Sequence, residues 1–151
     1  MTMPQPDADA AESSRRLAAL IAAEIGQAGG WIPFSRYMAL ALYAPGLGYY
    51  SGGARKFGAA GDFVTAPELS PLFAEALAAQ VEPILAASAP RILEAGAGSG
   101  ALAVGLLREL EQRGALPERY DILELSGELR ARQQDSIARG APQLAGRVGW
   151  L

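Results

Sequence analysis

The 151-residue sequence contains no cysteine and no histidine. Without thiols there is no disulfide, no zinc–thiolate site, no thiol nucleophile and no ligand set for an iron–sulfur cluster. Without imidazole there is no Ser–His arrangement, so proton chemistry within these residues falls to carboxylates, tyrosines or lysine. Charge is sparse as well. Charged residues make up 19%, the net charge is −3, and no basic run exists to follow a nucleic-acid backbone. No apolar run reaches the roughly 18 residues that mark a candidate membrane span. The N-terminus carries acidic residues and lacks the charged-then-apolar pattern of a secretory signal. These absences predict a cytoplasmic protein with no metal site and no nucleic-acid or membrane partner. What is plentiful is apolar: half the residues are hydrophobic, enough for a substantial core, and the length fits one ordinary domain.

The chain is organised around Arg91 to Gly100, Arg-Ile-Leu-Glu-Ala-Gly-Ala-Gly-Ser-Gly. Ile92 and Leu93 form an apolar run too short for a helix, and Pro90 limits helical continuation from the left, which predicts a buried β-strand. Gly96, Gly98 and Gly100 follow at every second position. From Ala101 the period changes: Leu102, Leu106, Leu107 and Leu110 share one helical face, with Arg108, Glu109 and Gln112 off it. A helix starting there aims free N–H groups at whatever fills the glycine turn. Strand, glycine turn and helix together make a candidate nucleotide-type cradle, with simple turn chemistry as the plain alternative.

Gly96, Gly98 and Ala101 also satisfy the dinucleotide fingerprint G-x-G-x-x-G/A, which leaves a nicotinamide-dependent oxidoreductase open. Glu94 separates the two branches. A carboxylate beside a pyrophosphate is repelled: two like charges 4 Å apart cost roughly 4 kcal/mol at an effective dielectric near 20. S-adenosylmethionine has no phosphate and carries an ammonium and a sulfonium, which a carboxylate favours. Glu94 therefore tilts the site toward S-adenosylmethionine, unless it serves only to cap or brace the loop.

Residues 1–12 are small, polar and proline-bearing and read as a loose tail. Ser13 or Ser14 caps a helix striped by Leu17, Leu20, Ile21 and Ile25, which Gly29-Gly30 ends. Trp31 to Tyr50 is rich in aromatics, with Ser35 as cap of a short helix; the rings serve either as packing or as a substrate wall. Gly52 to Gly61, with Arg55 and Lys56, reads as a surface loop. Asp62, Thr65 and Glu68 sit in an irregular segment before a Ser70-Pro71 helix start. They suit ligand contact, and turn or capping chemistry accounts for them equally well. Pro83 is expected to kink or end that helix near its last turn.

After the cradle helix, Tyr120 to Leu125 reads as a second strand with Glu124 at its far end, where an acid would hold a ribose hydroxyl pair; a loop-solvated glutamate is the alternative. Ser126 caps a third helix whose apolar positions are Leu129 and Ile137, with Gln133 on its polar face. Arg147 to Leu151 opens a third strand. The organisation is a helical extension over 13–89 and a β-α-β-α portion over 90–151, with helices expected on both sheet faces.

With these residues in hand, the chain resembles the MidA-like family of S-adenosylmethionine-dependent methyltransferases. The resemblance rests on Ile32 to Met38, Ala41 to Tyr50, the Gly58 to Phe73 block with its Gly-Asp-Phe-Val-Thr-Ala-Pro-Glu core, Leu93 to Ala103, and Tyr120 to Ser126. It covers nearly everything after residue 14. Mitochondrial members help assemble respiratory complex I and methylate an arginine of a core subunit. The resemblance implies the N-terminal portion of a Rossmann-like class I methyltransferase fold, a parallel sheet preceded by a helical extension. It places cofactor binding on Glu94, Gly96, Gly98, Gly100 and Glu124, and a site wall on Phe63, Thr65 and Pro67. Asp62 and Glu68 are the candidate catalytic carboxylates, for an acceptor guanidinium in a protein substrate. Family members run to more than twice this length. The chain is therefore expected to be a truncated portion, inactive alone, whose open sheet edge favours homo-oligomers or association with the missing C-terminal part. A non-catalytic assembly module built on the same fold is the rival reading, favoured by the aromatics of residues 31–50.

Overall fold

The structure, a computed structural model, describes residues 6–52 and 64–151. Residues 1–5 of the expected tail, most of the Gly52–Gly61 loop, and both Asp62 and Phe63 lie outside the described residues. The chain divides into two compact units, Met1–Ala54 and Arg55–Leu151.

In the first unit, α1 (Ala8–Gln27) starts ahead of the Ser13–Ser14 cap expected from sequence. Asp7 takes the cap position, its carboxylate accepting the Ala10 N–H at 2.7 Å, which satisfies a free donor of the first turn. Gly29 and Gly30 adopt positive φ and end the helix as expected. α2 (Phe34–Tyr43) begins after Pro33, whose fixed φ prepares the entry, and Ser35 lies inside it. Arg36 donates to both carboxylate oxygens of Glu24, one bond at 2.9 Å, tying α2 to α1. That bond holds the Glu24 carboxyl below its ordinary value. Trp31, Phe34 and Tyr37 are 69%, 74% and 42% exposed, so these rings are not core. Tyr43, Tyr49 and Tyr50 instead pack on one another, with centroids 5.0–5.6 Å apart.

The second unit opens with α3 (Ala66–Leu69), a helical turn where an irregular segment was expected, and α4 (Leu72–Ala87). Ser70 Oγ accepts the Leu72 N–H at 3.2 Å, so the Ser-Pro start operates one residue earlier than a standard cap. α4 continues through Pro83 to Ala87 rather than ending there. Pro83 and Ala79 are both exposed, so water can satisfy the carbonyl that the missing N–H leaves open. β1 (Arg91–Ala95), α5 (Ala101–Gln112), β2 (Arg119–Leu123), α6 (Gly127–Gly140), a 3-10 turn (Pro142–Arg147) and β3 (Val148–Trp150) follow. The sheet is parallel with order β1-β2-β3, and Glu94 pairs with Ile122.

α4 buries Ala78 and Leu85 in the same cluster as Leu106, Leu107 and Leu110 of α5. That packing is why the compact unit takes in α4, whereas the sequence boundary falls at 89/90. Tyr120, Ile122 and Val148 point into this core, and Ile137 of α6 joins it. Helices of the described residues thus cover one sheet face, not both. The other face carries Leu93 at 63% exposed, together with Asp121, to which Arg119 and Arg91 donate at 2.9 and 3.1 Å. Among the described residues, no helix is long and apolar enough to cross a membrane.

Candidate active site

β1 delivers Glu94 to the carboxyl end of the sheet. The ladder runs one residue past the strand, Gly96 N–H donating to the Leu123 carbonyl at 3.0 Å, and then the chain must turn away. It does so through Gly96, Gly98 and Gly100, all at positive φ. Gly100 has a second reason to lack a side chain: a Cβ there would meet the Gln133 Cα at 3.2 Å. The turn therefore packs directly onto α6. Beside it opens a cleft of about 320 Å³ lined by Glu94, Gly96, Gly98, Ser99, Thr65 and Phe73, among others.

Glu94 is half-buried, and Tyr120 donates its hydroxyl to Glu94 Oε2 at 2.7 Å. Burial raises the Glu94 carboxyl above its ordinary value of 4.5, and the tyrosine hydrogen bond offsets part of that rise. Burial, and then the neighbouring carboxylate, push the Tyr120 hydroxyl up as well. Tyr120 thus stays protonated and remains a donor to the acid.

β2 stops at Leu123, two residues short of the expected end, so Glu124 falls just beyond the strand. It is buried, not solvated on a loop. Its Oε1 accepts the Ser126 N–H at 2.9 Å and its Oε2 accepts the Gln133 amide at 2.9 Å. Ser126 caps α6 as expected, accepting the Leu129 N–H at 3.2 Å.

Glu68 supports the glycine turn. Ser99 donates to its Oε1 at 2.8 Å, and the Thr65 N–H donates to its Oε2 at 3.3 Å, the reciprocal half of a capping box. The carboxylate expected to orient an acceptor is thus engaged with its own turn and with Ser99. We expect Ser99→Ala to destabilise the fold by about 1 kcal/mol, one modest hydrogen bond to a partly exposed acid. Urea denaturation of the variant beside the parent chain reads this; an unchanged midpoint would remove the brace.

The structure brings Glu94, Gly96, Gly98, Thr65 and Pro67 to one cleft. Gly100 and Glu124 do not line it, Gly100 closing the turn onto α6 and Glu124 joined to the Gly98 turn through Gln133. Tyr120, Phe73, Ser99 and Gln133 were not foreseen as parts of the site. For Gln133 a signal was present: it lies midway between Leu129 and Ile137 at steps of four, a polar residue on an apolar stripe. No group of three acidic side chains able to hold a metal ion occurs among the described residues.

Residues 72–151 match a family described as "Putative S-adenosyl-L-methionine-dependent methyltransferase". Among curated proteins, the mitochondrial protein arginine methyltransferases NDUFAF7 of Danio rerio and Bos taurus are 41% identical over 96 residues and 36% identical over 97. Those stretches cover 60% and 62% of this chain and 22% of each relative. Among solved structures, a COG1565 superfamily member from Burkholderia thailandensis, bound to S-adenosyl-homocysteine, superposes with a TM-score of 0.87 at 57% identity. A native COG1565 superfamily structure from the same organism gives 0.82 at 55%. The alignments cover 99% of this chain but 40% and 38% of those chains, so the sequence spans well under half the length of its relatives.

Proposed function

Because the chain belongs to a family of S-adenosyl-L-methionine-dependent methyltransferases, we propose that it binds S-adenosylmethionine in the Glu94 cleft for methyl transfer to a protein side chain, arginine in particular. The observation that carries the binding reading is the half-buried Glu94 carboxylate in the wall of a glycine-turn cleft. The cleft's volume, about 320 Å³, lies within the usual range for small-molecule sites.

The residues present fit this cofactor. Glu94 would hold its cationic amino-acid end, and the same charge opposes a pyrophosphate, which counts against a nicotinamide cofactor. Gly96, Gly98 and Gly100 would let it approach bare backbone. Glu124 would hold the ribose hydroxyls, since two hydrogen bonds leave acceptor capacity on its two oxygens. When bound, S-adenosylmethionine supplies a methyl group on a sulfonium, open to in-line displacement by an acceptor lone pair. This chain's part is placement. Thr65, Pro67 and Phe73 wall the cleft, and Glu68 steadies Ser99 of the turn. Asp62 and Phe63 lie outside the described residues and carry no part of this reading.

Arginine as acceptor draws on the names of the two mitochondrial relatives. An arginine stays protonated at physiological pH, so its acceptor nitrogen must be oriented by carboxylates. Incubation of this chain joined to the remaining length that its relatives carry, with methyl-labelled S-adenosylmethionine and a protein extract, is expected to place label on arginine side chains. Label confined to small molecules would end the protein-substrate reading. Failure of the chain to bind S-adenosylhomocysteine would end the cofactor reading too. A binding or assembly module remains the second reading, supported by the exposed Trp31, Phe34 and Tyr37. Binding without turnover by the chain joined to the remaining length its relatives carry would favour it.

A further inference from the structure

Gln133 is fully buried on α6, yet nothing about helix formation requires a glutamine there. Its side chain meets three polar groups from three different elements. Nε2 donates to the Gly98 carbonyl at 3.1 Å and to Glu124 Oε2 at 2.9 Å. Oε1 accepts the Trp150 indole N–H at 2.9 Å. The first two partners are acceptors and the third is a donor. A primary amide, with two N–H donors and one carbonyl, answers all three in one orientation only; the flipped amide would face like against like. A carboxylate at this position would oppose Glu124, and an aliphatic side chain would take this partner from the Gly98 carbonyl, from Glu124 Oε2 and from the Trp150 indole N–H.

Resting on the cofactor reading above, we propose that Gln133 is a positioning residue that aims the Glu124 carboxylate at the cofactor ribose and locks it to the Gly98 turn. Glu124 needs such a guide because it stands just past the end of β2, where no strand partner holds it. Ser126 N–H secures one oxygen, and Gln133 secures the other. Through the Gly98 carbonyl the same amide sets the distance between the ribose acid and the turn that lies beside Glu94. Trp150 fixes the amide's sense, so β3 contributes to ribose recognition without lining the cleft.

The test is calorimetry on the full chain with two probes, S-adenosylhomocysteine and its 2′-deoxyribose analogue. The parent chain is expected to bind the deoxy analogue about 10-fold more weakly, the worth of a hydrogen bond to a charged acceptor. In Gln133→Leu, affinity for S-adenosylhomocysteine is expected to fall about 10-fold while that for the deoxy analogue changes little, because the hydroxyl no longer finds an aimed carboxylate. Equal weakening of both probes would mean that Gln133 only supports the fold, and would overturn the inference while leaving the cofactor reading intact. No binding by the parent chain would take down both. Should Gln133→Leu not fold, Trp150→Phe decides: it removes the donor that orients the amide while keeping an aromatic ring against the core. The preference for the 2′-hydroxyl is then expected to shrink about threefold, in line with one neutral hydrogen bond. An unchanged preference would overturn the proposal.

Discussion

Gly98→Val is expected to abolish S-adenosylhomocysteine binding, lowering affinity by more than about 100-fold, or about 2.8 kcal/mol. Gly98 sits at φ +55°, in the left-handed region. An L-residue there costs roughly 1–2 kcal/mol, and a β-branched one is a true outlier. The chain's escape is to rotate the turn. That rotation displaces the Gly98 carbonyl from the Gln133 amide, and with it the partner of Glu124. One substitution thus disturbs the backbone cradle and the ribose acid together. Gly114→Ala provides the control: Gly114 has a similar φ of +69°, with open space where a Cβ would go, at the far end of α5. It should bear the left-handed backbone cost without the added β-branching and keep full affinity. Calorimetry giving Gly98→Val an affinity within threefold of the parent would remove the turn from the site.

Glu94→Gln is expected to weaken S-adenosylmethionine binding by about 10- to 100-fold, the range for a hydrogen bond or contact to a charged group. S-adenosylhomocysteine should lose less, because it keeps the ammonium and lacks the sulfonium. The parent chain should also show two opposed pH dependences. Burial raises the Glu94 carboxyl above 4.5, against a partial offset from Tyr120. The folded chain therefore holds this proton more tightly than the unfolded chain does. Glu94 contributes its stability at and below the unfolded value, and that contribution is lost as pH rises through the raised folded value. Cofactor binding follows the opposite sign, since the cation prefers the carboxylate. It weakens as pH falls through the same window. Denaturation and calorimetry from pH 7 down to 4.5 read the two slopes. Glu94→Gln should flatten both; slopes that persist in the variant would assign them to another group.

The local features were legible from the chain alone. Ile92 and Leu93, three spaced glycines and the leucine stripe from Leu102 predict β1, the turn and α5, and the structure has them at Arg91–Ala95 and Ala101–Gln112, although the strand expected to be buried leaves Leu93 63% exposed. Ser126 caps α6 as its position suggests. Such features depend on neighbours a few residues away, whose sterics and free backbone donors act before any packing exists. Where a cap competed with another a few residues off, as Asp7 did with Ser13, the local rules named a helix but not its first residue.

What tertiary structure decided is the set of bonds between distant side chains. Tyr120 reaches Glu94 across 26 residues, Ser99 reaches Glu68 across 31, and Gln133 reaches Gly98 across 35. No periodicity encodes such a pairing, because it exists only once the parallel sheet sets Glu94 beside β2 and α6 lies against the glycine turn. The same assembly turned Gln133 from an apparent surface residue into a buried amide. Burial removes water as a partner, and a polar group so enclosed must find its donors and acceptors wherever the packed elements place them.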